Sequence, residues 1–242
     1  MATKYTVFYE ATSLSIIRHV DGETQTYMLK SNENHLKVEE STAFIKEFTQ
    51  SSFLHVPEFE HFICSENGVS LPASIFEEQA VNAYYERLYG ELNDQETLRF
   101  ESLNQQKVIR IFNVPSWTIT LLERHFSKTN ISSVFESQFQ ALELYLQRKV
   151  VVSLFISPQF AHLVLFKKGD LFFIDTISFD RLEDILFHLV TLLSKNNATE
   201  DSGVLLMQNI HPTHTLQEIK ALIAQISSFN ALEVLLKHNQ IT

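Results

Sequence analysis

The chain has 242 residues, 45% hydrophobic and 20% charged, which is enough to bury a sizeable core without disulfides. A formal net charge of −10 and a pI near 5.4 repel phosphate backbones and argue against nucleic-acid binding. The single cysteine, Cys64, excludes an intrachain disulfide and suits a reducing, cytoplasmic setting. No basic region precedes a long apolar stretch at the N-terminus, and runs such as Val150–Ile156 are strand-sized. They fall short of the roughly 20 residues that span a bilayer, so no direct membrane insertion is expected.

Lys4–Tyr9 and Leu14–Val20 read as strands around the turn Glu10-Ala11-Thr12-Ser13. Asp21–Gly22 is a hairpin signal before a third strand, Thr24–Leu29. Asn32–Lys37 is polar and loop-like. Ser41 is placed to cap a helix presenting Phe44, Ile45 and Phe48. Glu60–Ser65 reads as a buried strand, which makes Cys64 a core thiol. Pro72 is placed to open a helix that Gly90 stops, with Phe76, Ala80, Ala83, Tyr84 and Leu88 as its stripe. Thr97–Leu103 and Lys107–Phe112 alternate as a hairpin across Asn104–Gln106. Pro115 starts a helix with Trp117, Leu121, Leu122 and Phe126 inward. Ile131–Phe135 is strand-like and Gln138–Leu146 helical.

Three further strands, Val150–Ile156, Ala161–Phe166 and Leu171–Ile177, surround Pro158–Gln159 and Lys168-Gly169-Asp170. Asp180 is a natural N-cap with Glu183 as its box partner, opening a helix to about Ser194. Its inward residues are Leu182, Ile185, Leu186, Leu189, Val190 and Leu193. Gly203–Met207 reads as a short strand, and Thr215 caps a helix with Glu218 as its partner. Leu232–Leu236 fits either a strand or a helical turn.

Lys4–Lys30 and Val151–Ile177 superpose without a gap at a constant shift of 147 residues (151 − 4). Phe8 falls on Phe155, Ile16 on Leu163 and Gly22 on Gly169. Each copy is strand, turn, strand, turn, strand, then helix and strand. This doubled unit resembles the ribonuclease H-like unit, and two of them with an insertion look like the actin-like ATPase architecture. The segments Gly169-Asp170-Leu171-Phe172-Phe173, Thr176-Ile177-Ser178-Phe179, Glu183-Asp184 and Phe112-Asn113-Val114-Pro115 carry a closer resemblance. It is to an uncharacterised bacterial family of this fold, related to pilus-assembly and secretion proteins of the PilM and EpsL type. The resemblance implies an α/β fold of two β-β-β-α-β-α subdomains. Residues 1–67 with 136–149 would form the first and 150–242 the second, with 68–135 as an inserted α+β subdomain.

Active members of that architecture carry Asp-x-Gly loops between the first two strands, because Gly admits phosphates close to backbone N–H groups and Asp holds Mg²⁺. Here the turns are Glu10-Ala11-Thr12-Ser13 and Ser157-Pro158-Gln159-Phe160, without Gly or Asp. Pro158 removes a donor, and Phe160 brings a ring to where phosphates would sit. Glu10, Thr12, Ser13, Ser157 and Gln159 are the remaining candidate ligand-binding residues. Strands Lys4–Tyr9 and Val150–Ile156 hold no acid for two-metal nuclease chemistry. His211-x-x-His214 reads as loop rather than metal pair, Asp175 as outward-facing, and His162 and His188 as core or boundary histidines. Tyr84, Tyr85 and Tyr89 read as helix packing.

The expectation is a non-catalytic scaffold or protein-interaction module, a homodimer being one form, with no catalytic residue, cofactor or metal. Its partner would be a protein, engaged through the interdomain cleft or an exposed strand edge. The alternative is a nucleotide or small-ligand binder using that cleft without hydrolysis. A metal-dependent nuclease is the third reading, and it requires carboxylates clustered on the central sheet.

Overall fold

A computed structural model of the chain describes residues 4–20, 23–31, 35–52, 58–63, 67–103, 107–125, 131–198, 201–226 and 229–236. The turn at Asp21–Gly22, Cys64, the Asn104–Gln106 turn and Phe126 lie outside the described residues. The chain divides into two units, Met1–Val134 and Phe135–Thr242.

The first unit runs β1 (Lys4–Glu10), β2 (Ser13–Val20), β3 (Glu23–Lys30), α1 (Val38–Ser52), β4 (Glu58–Ile63), β5 (Gly68–Pro72), α2 (Val81–Tyr89), β6 (Glu96–Leu103), β7 (Val108–Pro115), α3 (Ser116–His125) and β8 (Ile131–Ser133). Its main sheet has the order β3-β2-β1-β4-β8. The first three strands are antiparallel, and β4 and β8 join in parallel. Alternation along β1 turns Tyr5, Val7 and Tyr9 to a core with Leu14 and Ile16 of β2, Ile45 of α1, Phe112 and Val114 of β7, and Leu121 and Leu122 of α3. A smaller sheet, β5-β7-β6, packs Val69, Ile109 and Ile111 against Tyr85 of α2.

The second unit runs α4 (Val134–Leu142), β9 (Val150–Ile156), β10 (Phe160–Lys167), β11 (Asp170–Ser178), α5 (Leu182–Lys195), β12 (Gly203–Asn209), α6 (Leu216–Ile223) and β13 (Leu232–Leu236). Its sheet order, β11-β10-β9-β12-β13, repeats that of the first sheet strand for strand. Val152, Leu154 and Ile156 share a core with Leu163, Leu165, Leu205, Met207, the inner stripe of α5, and Leu216, Ile219 and Ile223 of α6. On the opposite face Phe135 and Phe139 of α4 set their rings edge-on to His162 and Phe166, at 5.5 and 5.4 Å. Cover on both faces explains why β9 is buried along its whole length and apolar but for Ser153.

The 147-residue shift is also a register. It carries the β1–β2 pair Tyr9↔Leu14 onto Ile156↔Ala161, which are partners in β9–β10. It fails once. Leu14↔Leu29 would become Ala161↔Thr176, but Ala161 pairs with Ile177. A β-bulge opposite Leu165 and Phe166 places the extra residue, Phe172, in β11 and advances the outer half of the strand by one.

Several expected elements move. Gly68–Pro72 is a strand, with Pro72 as its last residue, where an edge strand tolerates a missing N–H. The helix therefore begins at Val81, after two short 3₁₀ turns, and Tyr85 faces the core while Leu88 is 64% exposed. Gly90 does stop it, at φ 82°. Helix α1 begins at Val38 rather than after Ser41, whose N–H already bonds Lys37 O at 3.0 Å; Glu39 and Glu40 favour the earlier start. The stretch from Ile131 turns helical at Val134. The cap of α5 sits one residue later than expected, where the Asp184 carboxylate accepts the Arg181 N–H at 3.0 Å. Thr215 and Glu218 form their capping box as expected. Leu232–Leu236 is a strand parallel to β12.

Candidate functional site

The first candidate turn is tighter than a loop. Glu10 is the last residue of β1 and pairs directly with Ser13, so the carboxylate expected in the turn belongs to the sheet. Glu10 is 2% exposed, and its Oε2 accepts the Ser13 hydroxyl at 2.9 Å. A buried carboxylate needs such donors, because its desolvation is otherwise costly. Thr12 turns inward as well. Thr12 Oγ1 and Ser15 Oγ are buried and have no hydrogen-bond partner among the described residues. Backbone bonds run from Ser31 N to Thr12 O and from Leu36 N to Ala11 O, so Ser31 and Leu36 are tied to the turn.

The second turn uses its own groups to close. Ser157 N–H donates to Phe160 O at 2.8 Å, and the Ser157 hydroxyl donates to the same oxygen at 3.0 Å. Phe160 N–H returns a bond to Ser157 Oγ at 3.2 Å. The Phe160 ring is 7% exposed and lies 6.4 Å from the His162 ring. Gln159 is half-buried. No residue of either turn has positive φ, so neither uses the backbone that favours glycine.

Behind each turn the sheet carries a buried polar face. The shift of 147 places Thr6 on Ser153, Glu10 on Ser157 and Ser15 on His162, and all six are at most 2% exposed. In the second unit Gln138 of α4 spans this face, donating to Ser153 Oγ at 2.9 Å and to His162 O at 3.0 Å. His162 Nδ1 meets Thr176 Oγ1 at 3.0 Å. Gln208 of β12 lies beside Phe155 in the same row, 1% exposed. This face went unread in the sequence, although polar residues at positions 6 and 10 and at 153 and 157, flanking Phe8 and Phe155 at alternate positions, were its signal.

On the apolar face beside Glu10, burial pushes the Tyr9 hydroxyl up to about 12, and the ring stands edge-on to Trp117 at 5.8 Å. Burial raises Tyr85 to about 12 as well. Asp175 is exposed. His188 is exposed on the outer side of α5, not in the core or at its boundary; it lines a 270 Å³ surface pocket with Ser178, Phe179, Asp180, Asp184 and Phe187. His211 and His214 stack at 4.5 Å. Among the described residues no group of three or more His, Cys, Asp or Glu is placed to hold a metal ion. Nor is any helix among them long and apolar enough to cross a membrane.

Solved structures share this arrangement. A Bacteroides thetaiotaomicron protein described as having an actin-like ATPase fold and unknown function superposes with a TM-score of 0.70 at 15% identity, covering 97% of this chain and 91% of its own. The PilM–PilN type IV pilus biogenesis complex matches with a TM-score of 0.56 at 11% identity, covering 96% and 88%. No curated protein matches. The chain therefore has the actin-like ATPase fold implied by its doubled sheets. The model of one family, described as Protein of unknown function (DUF3822), matches residues 10–226, and the chain belongs to that family.

Proposed function

We propose that this chain is a non-catalytic actin-like scaffold that binds a protein partner, its phosphate turns having lost their chemistry. The observation that carries the reading is the second turn. Ser157 spends its hydroxyl and N–H on Phe160, and the Phe160 ring is buried against the face behind it. A turn that cradles phosphate needs N–H groups pointing outward and room for the anion. The PilM fold neighbour was solved in complex with PilN, which supports a protein as the partner here.

The alternative, a small-ligand or nucleotide binder without hydrolysis, has one observation of its own. Glu10, Thr12 and Ser15 gather a carboxylate and two unsatisfied hydroxyls at the first turn. Titration calorimetry with Mg-ATP, paired with a phosphate-release assay, separates the readings. The scaffold predicts neither heat nor phosphate. Micromolar binding without release selects the ligand binder, and release at a steady rate overturns both.

A further inference from the structure

The described sheets end in six edge strands, and four of them are blunted. β8 has three residues and β13 five, β5 ends in Pro72, and β11 carries the bulge at Phe172. Short edges, prolines and bulges are the usual protections against strand addition. Of the two strands without them, β3 and β6, β6 borders an exposed aromatic patch. It is eight residues long, without proline and without a register shift against β7. Its midpoint, Phe100, is 42% exposed, at the border of an apolar cluster. The Phe76 ring lies 5.1 Å from Phe100 and 6.3 Å from Tyr84, the Tyr84 hydroxyl donates to Ile75 O at 2.8 Å, and Ile75 is 57% exposed.

We propose that β6 is a self-association edge, to which a second copy of this chain adds its own β6 antiparallel about a two-fold axis through Phe100. The charge pattern selects both occupant and register. The strand reads Thr97-Leu98-Arg99-Phe100-Glu101-Ser102-Leu103. Centred on Phe100, each Arg99 stands opposite the other copy's Glu101, and opposite charges across a ladder stabilise it. Centring on Arg99 sets Arg against Arg, and centring on Glu101 sets Glu against Glu. Glu101 is held in place for the role by Ser133, whose N–H donates to its Oε2 at 2.8 Å and whose hydroxyl donates to Oε1. With the axis normal to the sheet, both copies of Ile75, Phe76, Tyr84 and Phe100 fall on one face, and a six-stranded sheet closes each patch against the other.

The interface stands apart from the reading of the turns. Calorimetry with ATP decides that question and leaves this one untouched. Sedimentation equilibrium of the full chain across the micromolar range is expected to show association of the 28.0 kDa monomer to a dimer. R99E alone and E101R alone each place like charges opposite one another and weaken association by about tenfold. An equimolar mixture of the two restores it, because the heterodimer sets the two acids of one copy opposite the two arginines of the other. Since Glu101 also contacts Ser133, a second measurement avoids altering it. F100C in a C64S background forms an intermolecular disulfide under mild oxidation, because residues on the axis bring their Cβ atoms within about 5 Å. T97C in the same background does not, because Thr97 faces Leu103 rather than itself. A monomer at every concentration overturns the proposal. So does a dimer that R99E leaves intact and F100C fails to cross-link.

Discussion

In the first repeat the turn between the opening strands is closed by a buried carboxylate, Glu10 accepting from Ser13. In the second the equivalent position is Ser157, a neutral hydroxyl bonded to the backbone of Phe160. The hairpin register is the same in both. Each repeat therefore places a polar group at this corner, a carboxylate in one and a hydroxyl in the other, on the same hairpin register. The repeats differ elsewhere in the same way. Tyr9 stands where the second copy has Ile156, and Ser15 where it has His162.

The strongest break in the symmetry lies where the parallel strands begin. β4 opens with Glu58 opposite Lys4, whereas β12 opens one residue earlier, with Gly203 opposite Val150 and Val204 opposite Val151, the equivalent of Lys4. A Cβ on Gly203 would collide with Val150 O, a backbone atom that cannot swing aside. Gly203→Ala is expected to destabilise the protein by about 3 kcal/mol, through strain between β9 and β12. Urea unfolding measures it, and an unchanged midpoint refutes the close approach.

Alkaline pH acts on the first unit. The Tyr9 hydroxyl titrates near 12 when folded and near 10 when unfolded. The folded state thus holds the proton more tightly, so this contribution is whole below pH 10 and is lost as pH rises through 12. It amounts to up to about 2.5 kcal/mol at two pKa units. Tyr9→Phe should flatten the fall in stability between pH 10 and 12. Ile156→Tyr would show whether the second unit can be given the same sensitivity.

Glu10→Ala and Ser157→Ala compare the two corners directly. Losing Glu10 removes the acceptor of the buried Ser13 hydroxyl and strands that donor, at a cost of about 2 kcal/mol. Losing Ser157 removes neutral bonds from a turn whose backbone bond between Ser157 N and Phe160 O persists, at about 1 kcal/mol. Equal losses would mean that the carboxylate is no more engaged than the hydroxyl.

Much of the fold was legible because burial writes itself as pattern. The run Val150–Ile156, the α5 stripe from Leu182 to Leu193, the stop at Gly90 and the box at Thr215 each appear where sequence places them. Pro72 misled because proline suits both the first turn of a helix and the end of an edge strand, and only the partner β7 decides. The bulge at Phe172 was invisible because one extra residue leaves composition unchanged and moves only the pairing. The polar face was the deepest miss. Thr6, Ser15 and Ser153 look like residues of a solvated face, and only the elements packed over a strand reveal that its polar side is buried, as Gln138 of α4 does for Ser153.

The smallest test concerns the other turn of the repeat, between the second and third strands. Lys168 and Gly169 both have positive φ, 54° and 84°, so the hairpin from β10 to β11 bends as the two-residue turn that favours Asn-Gly. Lysine at the first of these positions is held in a conformation that its Cβ disfavours, while its N–H is needed for the 2.8 Å bond to Lys149 O. Lys168→Asn keeps that bond and relieves the strain, so it should stabilise the second unit by about 0.5 kcal/mol. Lys168→Pro should do the opposite, because proline cannot take positive φ and donates no hydrogen. A thermal midpoint that rises for asparagine and falls for proline would show that this hairpin is limited by backbone conformation. The hairpin between the first two strands, which uses no positive φ in either repeat, should gain nothing from Asn at Thr12 or at Gln159.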